Sequence, residues 1–175
     1  MDLVTALAIV IGVMGGLATW LVLGPLAVLA LQIWAIFIAW GCFYHCGGGE
    51  TGLKNTIVCG IWGAVCASVA LMLVTTLAGS MGVAVAAGIL VGITVAIMIL
   101  GSKAAMLSTI PAAVYGYAST AAYALLSGVA LGEPAAVIKA MLIVVASLIV
   151  GAVLGYISQK IAVGLSQKAV TTAKV

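Results

Sequence analysis

Six long apolar runs, separated only by short connections, decide what this chain can become. They lie at about 3–23, 25–43, 53–77, 81–100, 104–126 and 135–162. Each is close to the roughly 20 residues that a helix needs to cross the hydrocarbon core of a bilayer. A domain that folds in water carries about 25% charged residues; here the figure is 5%, with 66% hydrophobic residues and a mean hydropathy of +1.45. Such a chain cannot present a wetted surface, so its solvent is lipid. In lipid every backbone N–H and C=O must be satisfied internally, which leaves helices or a closed barrel. A barrel needs short segments of alternating polarity, and these runs are continuously apolar. The expected fold is all-α: a polytopic membrane protein of six transmembrane helices in one domain, residues 1–165, followed by a polar, basic tail, residues 166–175.

Charge placement narrows the function. The net charge of +3 comes from lysines in connections and tail, with no basic face and no arginine, so nucleic acid is excluded as a partner. Met1–Asp2 is not followed by a basic region, and the first run is expected to be a retained span and not a cleaved signal. With six spans, Lys54, Lys103, Lys160, Lys168 and Lys174 share one side and Lys139 stands alone on the other. The positive-inside rule then places both termini in the cytoplasm. The acids Asp2, Glu50 and Glu133 all lie at ends or connections. Proton and sodium coupling draw on intramembrane carboxylates, and no nucleotide-binding, Ser–His–Asp or metal-hydrolase pattern is present. The expectation is a protein that is not an enzyme and uses no cofactor.

Weak internal repetition is visible. Gly12 and Gly16 match Gly88 and Gly92 at an offset of 76 residues, and the runs headed by Trp34 and Pro111 correspond at an offset of 77. A repeat of three spans, about 3–77 and 81–163, has an odd number of crossings, so its second copy must insert upside down. Inverted repeats recur in transporters and channels, with the solute site at their interface.

The chain's polar knot is 44–55, Y-H-C-G-G-G-E-T-G-L-K-N, which is either a plain connection or a re-entrant dip. It supplies Tyr44, His45, Glu50 and Lys54 as candidate residues of a solute path. Lys54 and Lys139 would each attract or hydrogen-bond a solute at a helix start; the plainer reading is that they snorkel to headgroups. Phe37, Trp40 and Tyr44 recur at three and four residues on one stripe, and Tyr115 and Tyr117 follow in the fifth run, where they would narrow a path. Pro111, placed within the fifth run, is expected to kink it and free a carbonyl near Leu107. Gly12/Gly16, Gly88/Gly92 and Gly151/Gly155 form G-x-x-x-G pairs, which let membrane helices approach closely, within one chain or between subunits. Cys42, His45 and Cys46 share one helical face in a pattern that suits a soft metal, but both thiols also fit as small apolar packers. No metal site is expected.

At the aromatic second run, the G-G-G-E-T-G-L-K stretch and the P-A-A-V-Y-G run, the chain resembles the YcdZ-like family of small bacterial inner-membrane proteins of unknown function. Gly52, Leu53 and Lys54 carry the match best, while His45 and Glu50 depart from the pattern. The resemblance implies six spans in a bacterial inner membrane and names no substrate. The residues themselves point to a passive channel or facilitator for a small neutral or anionic solute, homo-oligomeric, with its path between the two repeats. The alternative is a non-transporting membrane scaffold whose small-residue faces bind a partner.

Overall fold

The computed structural model describes the backbone of residues 1–172 and the side chains of residues 1–167. Among these, all regular structure is helical: α1 (Leu3–Leu23), α2 (Ile33–His45), α3 (Gly49–Met81), α4 (Val83–Gly101), α5 (Ile110–Leu126) and α6 (Pro134–Thr172), with single 3-10 turns at Ala27–Leu29 and Ala105–Leu107. The basic tail expected from residue 166 continues α6 to Thr172, and residues 173–175 lie outside the described residues. Four helices, α1, α3, α4 and α6, are long and apolar enough to cross a membrane. α2 and α5 are shorter, at 13 and 17 residues. At a rise of 1.5 Å per residue they reach only ~20 Å and ~25 Å, less than the ~30 Å hydrocarbon core. Six full-length spans are therefore replaced by four long helices and two short ones.

The shortening has local causes. The second run does not start at residue 25, because Gly24 leaves helical geometry (φ −114°, ψ −106°) just before a proline. Ala30 then takes a left-handed conformation (φ 54°), and Gln32 is extended. The fifth run likewise does not start its helix at residue 104: α4 ends at Gly101, a 3-10 turn spans Ala105–Leu107, and α5 begins only at Ile110. Pro111 therefore lies in the first turn of α5, where its missing N–H costs nothing, and does not kink the middle of a helix. At the other end of α2 the chain reverses in three residues, Cys46 to Gly48. Gly47, Gly48 and Gly49 all take positive φ (87°, 70° and 63°), which a residue with Cβ would resist. The 44–55 knot is thus a tight turn flanked by helix: Tyr44 and His45 end α2, while Glu50 and Lys54 sit at the start of α3. At the head of α1, the Asp2 carboxylate caps Thr5 through its backbone N–H (2.9 Å) and hydroxyl (2.7 Å), which holds its pKa below the ordinary 3.8.

α3 and α6 pack on one another and carry the rest: α4 and α5 lie on α3, α1 and α2 on α6. Helix directions alternate. Gln32 meets Ser147 and Trp40 meets Ser158, so α2 runs parallel to α6; α3 and α5 are parallel as well, with Gly60 against Gly116 and Leu71 clustered with Ala124. α4 runs against α3, since the Trp62 indole bonds Met98 O (3.1 Å) while Val74 packs with Ala86. α1 runs against α6, with Ala6 and Val10 clustered with Ala162 and Leu21 and Val22 lying near Val150. The order long helix, 3-10 turn, short helix, very long helix occurs twice, with opposite sense. Both breaks are tied to the very long helices: Ser147 Oγ accepts from Gln32 N–H (2.9 Å) and Cys59 Sγ donates to Met106 O (3.6 Å).

Glycine sets the tightest crossings. A Cβ on Gly63 would collide with the Ala113 carbonyl oxygen, one on Gly116 with Gly60 O, and one on Gly151 with Ile36 O; one on Gly155 would press on the Phe43 ring (2.7 Å). Gly151 and Gly155 thus lie where α6 crosses α2. Among the described residues, a Cβ on Gly12, Gly16, Gly88 or Gly92 would meet nothing within 4 Å. Polar ties reinforce the α2–α6 crossing: buried Ser158 accepts from the Trp40 indole (2.9 Å), bonds the Tyr44 hydroxyl (2.8 Å) and donates to Gly155 O (2.8 Å). Ser158→Ala is expected to leave the indole N–H unpaired beside α6, a loss of about 1–3 kcal/mol. Thermal unfolding in detergent measures it, and an unchanged midpoint would show the bond to be dispensable.

Candidate functional site

One of the hollows beside the helix core lies between the two short helices. On α2 the residues Trp34, Phe37, Ile38 and Gly41 recur at three and four positions, which places them on one face. On α5 the same spacing aligns Tyr115, Ala118, Ser119 and Ala122. The two faces, with Cys42, line a groove of about 630 Å³ that is open on one side. α2 and α5 run in opposite senses here, so the end of α2 meets the start of α5. There His45 Nδ1 lies 3.1 Å from the Tyr115 hydroxyl and closes one end of the groove.

The walls are mostly apolar, with a small polar set. Ser119 is only 2% exposed, and among the described residues its hydroxyl has no hydrogen-bond partner. Most serines inside helices return their hydroxyl to the carbonyl one turn back; Ser68 and Ser147 do so here at 2.8 Å. Thr120, next to Ser119, is also buried and unpartnered. Buried polar groups left unpaired are uncommon and ask for an explanation such as a missing ligand or water. Cys42 adds a thiol that accepts from Thr56 Oγ1 at 3.7 Å. Among the described residues no charged side chain lines the groove.

The candidate residues divide. Phe37 and Tyr115 line the groove and His45 closes its end. Trp40, although stacked on Phe37 at 5.8 Å, is buried toward α6 on Ser158. Tyr44 bonds the same serine, and Tyr117 faces α4, bonding Thr94 at 3.0 Å. Glu50 and Lys54 are exposed at the end of the bundle where Gly49 N–H donates to Gln159 Oε1 (2.8 Å). Lys139 is exposed on α6 beside Ile138 and Leu142, away from the groove. Cys42, His45 and Cys46 do not converge, because His45 turns to Tyr115 while the two sulfurs face each other at 3.7 Å. Among the described residues no group of three or more His, Cys, Asp and Glu could hold a metal ion. Trp34, Ile38, Gly41, Cys42, Ala118, Ser119 and Ala122 enter the site without having been singled out for it. Their one signal in the sequence is the shared three-and-four spacing of two stripes that only the packing of α2 on α5 brings together.

The family model for a protein of unknown function, DUF1097, matches residues 8–163 of the chain. No curated protein and no solved structure matches it.

Proposed function

This chain belongs to the DUF1097 family, of unknown function, and from that premise we propose that it is a passive channel or facilitator for a small polar solute. The solute moves along the groove between α2 and α5. The observation that carries this reading is a mostly apolar groove between the two short helices whose wall holds Ser119, its buried hydroxyl unpartnered among the described residues. Ligand sites are typically apolar hollows with a few placed polar groups. Because no charged side chain among the described residues lines the groove, a neutral solute is favoured over an anionic one. Phe37 and Trp34 narrow the path, Ser119 and Cys42 lie in its wall with their polar atoms turned away from the opening, and the His45–Tyr115 pair stands at one end.

The chain is read as two inverted three-helix halves, supported by the doubled element order and the alternating helix directions, with the groove at their interface. A second copy of the chain closes the open side; Gly41 and Ala118, both exposed, permit its close approach. Lys54 and Lys160 lie at one end of the bundle and Lys139 at the other, which supports both termini in the cytoplasm of a YcdZ-like bacterial inner-membrane protein.

The scaffold reading keeps one specific support: the faces of Gly12, Gly16, Gly88 and Gly92 are open in the protomer and suit a partner helix. Solute uptake by proteoliposomes separates the two. The wild-type protein is expected to pass small neutral solutes faster than protein-free vesicles, and Lys54→Ala and Lys139→Ala are expected to leave that rate unchanged. Background rates across neutral and anionic solutes would reject the channel and leave the scaffold.

A further inference from the structure

The last turn of α2 brings two thiols face to face. Cys42 and Cys46 are one helical turn apart, and their Sγ atoms are separated by 3.7 Å. In a regular helix the Cβ atoms of such a pair lie about 5–6 Å apart, wider than the ~3.8 Å of a disulfide. Cys46, however, is the residue on which α2 stops (φ −82°, ψ 15°), and two glycines of positive φ follow it directly. The chain can therefore yield on the Cys46 side without breaking a helix. All four cysteines are free. Cys46 is half-buried and reachable, while Cys42 is 2% exposed. Cys59 is fully buried with its thiol committed to Met106 O, and Cys66 is 5% exposed.

We infer that Cys42 and Cys46 form a reversible oxidation site that closes to a disulfide when it meets a two-electron oxidant of the peroxide class. The more accessible Cys46 thiolate attacks one oxygen of hydrogen peroxide. The O–O bond breaks, Cys46 becomes a sulfenic acid, and the departing hydroxide leaves as water with the proton the thiol gave up. The Cys42 sulfur then attacks the Cys46 sulfur, the S–O bond breaks, and a second water leaves with the Cys42 proton. Two thiols have given two electrons, and one peroxide has become two waters. The ring so closed is small and its geometry wide of the ideal, so the bond is strained and readily reduced by a thiol. That is the behaviour of a regulatory disulfide, not a structural one. Closing it draws Cys42 off Thr56 and moves the groove wall to which Cys42 belongs. Any effect on solute passage rests on the proposed function; the thiol chemistry does not.

Purified wild-type protein in detergent, treated with hydrogen peroxide and then alkylated with iodoacetamide, tests the site by intact mass and peptide mapping. Two alkylatable thiols are expected to disappear, to map to a Cys42–Cys46 link, and to return with dithiothreitol. In Cys42→Ser, Cys46 is expected to stop at a sulfenic acid that dimedone traps. A link from Cys42 to Cys59, direct passage to sulfinic acid in the wild type, or four thiols surviving would overturn the inference. Uptake by oxidised and reduced proteoliposomes keeps the two ideas apart. A disulfide forming in a protein that passes no solute leaves this site standing and removes the channel; solute passage with no disulfide does the reverse.

Discussion

Gly63→Ala is expected to lower the thermal midpoint of the protein drastically or to prevent its folding, while Gly88→Ala leaves it unchanged or slightly raised. Helix propensity alone favours alanine in both places, by up to about 1 kcal/mol, so any loss must come from packing. At Gly63 the new methyl group would run into the Ala113 carbonyl oxygen, and would also lie 2.7 Å from Ala113 C and 2.8 Å from Tyr117 N. These are backbone atoms of α5, and no rotamer change moves them. The neighbouring contact is locked in the same way, with Gly116 against the Gly60 backbone. Relief therefore requires α3 and α5 to separate along their crossing. Overpacking by one or two methyl groups costs about 1–3 kcal/mol where side chains can yield, and here they cannot. Gly116→Ala is expected to behave alike, and the double variant to fall short of additivity because both changes open one interface. Gly88 meets nothing within 4 Å. Thermal unfolding in detergent, followed by tryptophan fluorescence, compares the variants; equal midpoints for Gly63→Ala and wild type would mean that the helices do not cross this closely.

Much of the fold was legible because lipid imposes a uniform demand. An uninterrupted apolar run with no acid inside it must be helical and buried in protein or lipid, and α1, α3, α4 and α6 follow from that alone. The ends of α2 and α5 did not follow. The stretch Leu26-Ala27-Val28-Leu29 is as apolar as any helix, yet only three of its residues form a 3-10 turn. Apolarity reports the solvent and not the backbone angle, and the break was written instead in Gly24-Pro25, which reads equally well as a short connection between spans. Glycine spacing was ambiguous in the same manner. A G-x-x-x-G pair marks a face that permits close approach, but the partner is a tertiary fact. Gly151 found α2, whereas Gly12 and Gly88 found nothing within the protomer. Gly60, Gly63 and Gly116, which make the closest crossing, belong to no such pair in the first or fourth helix.

The candidate site was legible only by halves. Phe37, Trp40 and Tyr44 make one stripe by spacing, yet Phe37 is 43% exposed and Trp40 2%. The edge of α6 falls between them, and nothing in α2 itself says where that edge runs. Lys54 and Lys139 stand near helix starts, where a lysine could attract or hydrogen-bond a solute, but charge near an interface is the ordinary outcome of snorkelling. Ser119 left a quieter mark. A serine followed by a threonine in Y-A-S-T-A-A has to bond its own helix or something else, and only the structure says that neither hydroxyl is engaged.

Ala118→Trp is expected to reduce solute uptake by about tenfold or more, equivalent to raising the barrier by ~1.4 kcal/mol, with no loss of folding or membrane insertion. Ala118 lines the groove midway between Tyr115 and Ala122 and is exposed, so a larger side chain there displaces no packed neighbour. An indole brings about 150–250 Å² of surface, enough to fill the gap between α5 and the Phe37–Ile38 wall. The same substitution at Ile93, 53% exposed on α4, adds equal bulk to the lipid-facing surface elsewhere and is expected to leave uptake alone. Phe37→Ala works in the opposite sense, widening the groove, and is expected to raise uptake or admit a larger solute. The three rates, read against the amount of protein inserted, locate the path. If wild type and Ala118→Trp pass solute equally, the groove is not the route. If Ala118→Trp loses uptake only where cross-linking shows that the oligomer has come apart, the groove works as a seam between copies, and the second protomer supplies the wall that the first one lacks.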